Sequence, residues 1–154
     1  MKKNAYVLLL LVLCCVVFGC GKKAKLSGLY PIKGKLTLNG SPVEGALVTL
    51  VPQNFTGDAR AASGETDADG AFKIQTMDPG DGAFPGEYNI TVTKKEVIGK
   101  MPTAEELDAA RDAGQRIIIN SKNIFPVKYE KTGTSGLKVT VVAGKNDDLI
   151  LDLE

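Results

Sequence analysis

The chain is predicted to fold as an all-β protein, a single Greek-key-like sandwich of about seven strands. Two observations carry this expectation. Apolar residues recur with a period of two along most of the chain after residue 30, and tight-turn residues separate those runs at short spacing. The composition agrees: 154 residues with 44% hydrophobic and 24% charged side chains is a globular balance, with enough length for one buried core.

Residues 1–19 read as an address rather than as part of that fold. Lys2 and Lys3 precede an uncharged apolar run, and charge returns only at Lys22, which is the plan of a secretory signal peptide. The run ends Val17-Phe18-Gly19-Cys20, which resembles the lipobox of bacterial lipoproteins. That resemblance implies cleavage before Cys20, lipidation of its thiol, acylation (palmitate-type) of its new amine, and residues 20–29 as a lipidated tether. Two or three acyl chains hold a protein stably where one binds only marginally. Gly21 rather than an acid follows the cysteine, which by the same resemblance favours the outer membrane over the inner. Residues 4–21 are also just long enough to span a bilayer uncleaved. Under both readings residues 30–154 form a domain outside the cytoplasm.

The strands follow in order. Tyr30, Ile32, Leu36 and Leu38 alternate with Lys33, Lys35 and Thr37. Asn39-Gly40 then marks a hairpin, because a type I′ turn needs positive φ at both central residues. "GALVTLVP" (45–52) is almost continuously apolar, as a central strand can be, and Pro52 closes it. A less regular strand in "ARAASGET" leads to Phe72 and Ile74, which alternate with Lys73 and Gln75. Tyr88, Ile90 and Val92 alternate with polar residues, as do Leu137, Val139 and Val141. Leu149, Leu151 and Leu153 close the chain, with Ile150 on the opposite phase. One segment departs from this pattern. Thr103 and Glu106 form a capping box ahead of a short helix at 104–113, which Gly114 stops. Its apolar face is only Leu107 and Ala110, so it is expected on the surface, in a long crossover that also holds Ile117-Ile118-Ile119.

"GKLTLNGSPVEGALVTLVP", "ASGETDADGAFKI" and "GEYNITVTK" together resemble the carboxypeptidase regulatory-like, transthyretin-like β-sandwich domains. The matching positions are Gly34, Asn39, Gly40, Pro42, Gly45, Ala46, Val48, Thr66, Asp67, Asp69, Gly70, Phe72, Pro85, Gly86, Tyr88 and Val92. With "GDGAFPGEY" and the ending "FPVKYEKTGTSGLKVTVVAGKNDDLILDL", the pattern is similar to small envelope lipoproteins of planctomycete-type bacteria. The resemblance covers residues 30–94 and 124–153 and leaves 95–123 as an insertion. It implies a transthyretin-like sandwich and is nearly silent on activity, since fold does not fix function.

The residue inventory narrows the chemistry. The chain has no histidine, and Cys14, Cys15 and Cys20 all precede the domain. The domain therefore has no His or Cys for nucleophile pairs and no imidazole or thiolate metal ligands, and the expectation is no enzyme and no cofactor. Trp is absent and the net charge is +1, so no nucleic-acid face is expected. Asp67-Ala68-Asp69-Gly70 opens like an EF-hand calcium loop. The twelfth position, however, is Met77 rather than a bidentate Glu, and a tight turn explains the same residues. A second acidic loop, Asp78 to Gly82, should lie at the other end of one strand, roughly 20 Å away. A self-formed isopeptide bond would need Lys33 or Lys35 buried with Glu87 and Asn146, yet both lysines fall on the exposed phase.

What remains is a lipid-anchored, non-catalytic envelope module with a structural or protein-interaction role, with the membrane and other envelope proteins as its partners. The alternative is a carbohydrate- or peptide-binding module using loops at one end of the sandwich, for which Phe55, Phe84, Phe125 and Tyr129 are the candidate ligand-facing residues.

Overall fold

The computed structural model describes residues 26–154. Cys20, the expected signal segment and the first part of the expected tether lie outside the described residues.

Two four-stranded sheets form the body. In the first, β1 (Lys33–Leu38) lies between β10 (Leu149–Leu153) on one side and β2 (Ser41–Pro42) with β5 (Ala71–Lys73) on the other. The second runs in the order β4 (Ala62–Glu65), β3 (Leu47–Pro52), β6 (Gly86–Thr93), β9 (Lys138–Val141). Every pairing is antiparallel except β1 with β10, which run parallel from Gly34 opposite Leu149 to Leu38 opposite Leu153. The sheets are joined along one side, where Ser63 and Gln75 exchange backbone hydrogen bonds of 2.9 and 2.8 Å.

The strands β1, β3, β4, β5, β6, β9 and β10 are those that the alternation predicts. Their inward phase builds one continuous core. Leu36, Phe72, Leu151 and Leu153 of the first sheet meet Val48, Leu50, Tyr88, Ile90 and Val92 of the second. Each such side chain contributes about 1.5–3 kcal/mol when fully buried. The outward phase behaves as read, with Lys33, Lys35, Lys73 and Ile150 exposed. β3 is central, but its side chains still alternate between the two faces, and Leu47 is largely exposed.

Three short strands escape the sequence reading. β2 is the return limb of the Asn39-Gly40 turn, whose residues take φ of 51° and 77° as a type I′ turn requires. The other two, β7 (Lys95–Val97) and β8 (Ser121–Asn123), pair with each other and with neither sheet. Between them lies α1 (Ala104–Asp112), shorter at its end than the expected 104–113 because Ala113 is its C-cap. The capping box is formed as read: Glu106 N–H donates to Thr103 Oγ1 at 3.2 Å, and Thr103 N–H to Glu106 Oε2 at 2.7 Å. No residue of α1 is buried. Residues 95–123 are therefore an arm, not a layer of the sandwich.

Candidate functional site

Of the four aromatic residues on which the ligand-binding alternative rests, three are buried and one is exposed. Phe125 is 3% exposed and Tyr129 is 6% exposed, and both belong to the core. They lie around the 3-10 turn Val127–Glu130, which packs against β6. Phe84 is also buried, with Gly28 beside its ring and the Arg60 guanidinium 5.6 Å from the ring centre. Only Phe55 is open to solvent, at 69% exposure. Phe125 and Tyr129 pack into the core from a loop, which local sequence does not reveal. A cleft of about 300 Å³ is lined by Asn54, Phe84 and Glu87, among others, with the Phe84 ring only 7% exposed.

The acidic loops hold their own backbone. Asp67 Oδ1 accepts from the N–H groups of Asp69 (3.0 Å) and Ala71 (2.9 Å), closing the turn from β4 into β5. Asp69 accepts no comparable bond and is exposed. Asp81 accepts from Thr76, Met77 and Asp78 at 2.6, 3.0 and 2.9 Å. Partial burial works against its charged form, but these donors outweigh that effect and hold its carboxyl below the usual range. Among the described residues no three Asp, Glu, His or Cys side chains gather where a metal ion could be held. The two loops instead bound opposite ends of an open groove of about 890 Å³ over β1 and β5. Its floor carries Lys33, Lys35 and Lys73, and its walls carry Glu65, Asp67 and Asp148. Lys33 is already paired with Asp148 at 3.3 Å, in the open.

The isopeptide residues are not brought together. Both lysines lie on the outer face of the first sheet, while Glu87 lies on the outer face of the second. Asn146 is bound to its own loop, accepting from Val142 N–H at 2.9 Å and donating to Val142 O at 3.3 Å.

The arm carries seven of the exposed large apolar side chains among the described residues. Val97, Ile98, Met101, Leu107, Ile117, Ile118 and Ile119 are all exposed, Ile118 to 83%. Its base is fixed firmly. Lys94 N–H donates to Asn123 Oδ1 at 2.8 Å, Ile124 N–H donates to Lys94 O at 3.0 Å, and Asn123 Nδ2 reaches Glu130 at 3.1 Å. Above that base no other described residue covers it. A nine-residue helix and a hairpin of two three-residue strands are each marginal alone in water. The sequence named Ile117-Ile118-Ile119 and the thin face of α1 but not their exposure. Three consecutive isoleucines that break the alternation were the available signal.

The arm also has a fixed place relative to the expected tether. Tyr30 pairs with Ala83, and Gly28 lies against Phe84, just before β6 begins at Gly86. The arm leaves the body just after β6 ends at Thr93. An eight-residue strand spans roughly 25 Å, so residues 26–30 and the arm occupy opposite poles of the sandwich. Among the described residues no helix is long and apolar enough to cross a membrane. Compared with family models, curated proteins and solved structures, the chain matches none of them.

Proposed function

We propose that the chain is a non-catalytic, lipid-anchored module of the bacterial cell envelope that acts through protein interaction. The observation that carries this reading is the polar arrangement of the body. The chain enters at one end, and an arm with seven exposed large apolar side chains leaves at the other. A protein tethered through Cys20 would hold that arm away from its own membrane. Exposed apolar clusters of this kind mark interaction sites in soluble domains. The lipobox-like ending at Cys20, the lack of histidine, and the motifs shared with carboxypeptidase regulatory-like domains of envelope lipoproteins support the same reading. Gly21 after the cysteine favours the outer membrane as the site of anchoring.

The carbohydrate-binding alternative is left with Phe55 as its one exposed candidate ring, because Phe84, Phe125 and Tyr129 are buried. Two measurements test the proposal. Cells fed labelled palmitate should label the wild-type chain but not Cys20→Ser, and an unlabelled wild-type chain in the soluble fraction would refute the anchor. A photo-crosslinking residue at position 118 should yield a defined protein adduct in intact envelopes. An arm that crosslinks to nothing would refute the interaction role.

A further inference from the structure

Resting on the reading of the arm as an interaction element, we infer that its partner is a second copy of this chain. The arms of two copies pack antiparallel, and the α1 helix of each covers the isoleucine-bearing limbs of the other.

Charge points to this occupant. The limbs on either side of α1 carry five basic side chains, Lys94, Lys95, Lys100, Arg116 and Lys122, against one acid, Glu96. The helix is the reverse, with Glu105, Glu106, Asp108 and Asp112 against Arg111 alone. Within one molecule these opposite signs do not meet. Among the described residues the ion pairs of this region are Lys94–Glu96 and Asp108–Arg111, each confined to its own limb or helix. A two-fold arrangement makes the complementary contact twice, helix to limb and limb to helix, because an isologous interface uses one patch on both subunits.

The apolar pattern fits the same geometry. Leu107 and Ala110 share one stripe of α1, flanked by Glu106 and Asp108 about 100° to either side of Leu107. An apolar stripe with an acidic rim suits limbs that present Ile117, Ile118 and Ile119 between Arg116 and Lys122. Residues 95–123 also match the roughly 20–30 residues a side of an ordinary specific interface. The other occupants fit less well. Residues 26–30, which follow the proposed anchor in the chain, lie at the opposite pole, and the body of the same chain buries no residue of α1.

The full chain, lipid included, in density-matched detergent should sediment at equilibrium with two chains per particle. Ile118→Asp should halve that mass and, compared with wild type diluted until it too is monomeric, leave the unfolding midpoint unmoved, which separates the arm from any pairing through the lipid. Reversing the limbs (Lys100→Glu with Arg116→Glu) or the helix (Asp108→Lys with Asp112→Lys) should each give monomers. Mixing those two variants should restore a dimer, because each then offers the sign that the other lacks. A monomeric wild type, a dimer indifferent to Ile118→Asp, or a mixture that stays monomeric would each overturn self-association. A monomeric wild type whose position 118 still crosslinks to a different envelope protein overturns only this inference. An arm that crosslinks to nothing overturns the proposed function as well.

Discussion

Strand β6 buries Tyr88, Ile90 and Val92 on one face, whereas β7, which begins one residue after β6 ends, buries none of Lys95, Glu96 and Val97. Both are extended and both are hydrogen-bonded to an antiparallel neighbour. The difference lies in what stands opposite each face. β6 has a second sheet opposite it, and β7 has only β8 beside it. Backbone pairing alone therefore does not make a core. In the sandwich, stability is held by side chains that exclude water. In the arm, the hairpin and capped helix specify a shape without the burial to hold it.

That contrast can be broken most easily at Tyr88, which is buried and whose hydroxyl donates to Phe84 O at 2.8 Å. Tyr88→Ala should lower the unfolding free energy by about 3–5 kcal/mol in denaturant titration. A loss below about 1 kcal/mol would mean the sandwich is not the stable part.

Thr66 comes next. Its buried hydroxyl donates to Val43 O at 2.6 Å and accepts from Ala46 N–H at 2.8 Å, tying the turn after β2 to the end of β4. Thr66→Val keeps the shape but strands both backbone groups, and should cost about 1–3 kcal/mol by the same titration.

Asp81 gives a pH-dependent version. Its folded-state pKa lies below the ordinary carboxylate value, which is also its unfolded value. The stability it contributes is therefore complete above that ordinary value and is lost as pH falls through the lower, folded one. Asp81→Asn should unfold at lower temperature than wild type at neutral pH, with the gap closing in acid. A gap that stays constant below pH 4 would remove the ionised carboxylate from the account.

The smallest effect is expected in the arm. Measured where wild type is also dissociated, Ile118→Asp should change unfolding free energy by no more than about 0.5 kcal/mol. In the dissociated chain, amides of residues 97–119 should exchange hydrogen well before those of β3 and β6. Slow exchange there would mean that the arm is held by its own body, and the contrast would fail.

Much of this molecule was legible in the chain. The seven core strands, the Asn39-Gly40 turn, the capping box at Thr103 and the exposed phase of Lys33, Lys35 and Ile150 all follow from period and local backbone chemistry. So does the role of Asp67, whose carboxylate serves its own turn. These depend on neighbours a few residues away, so local sequence suffices to determine them. Other features depend on residues distant in the chain. The parallel pairing of β1 with β10 joins residues more than a hundred positions apart. Phe84, Phe125 and Tyr129 looked like loop aromatics because nothing adjacent reveals that they are buried. The exposure of Ile98 and Ile117 to Ile119 was equally hidden, since an apolar residue carries no mark of whether another layer will cover it. Periodicity determined which face of each strand is apolar. Only the tertiary structure decided which of those faces found a partner, because burial belongs to a pair of surfaces and the sequence of one of them does not specify it.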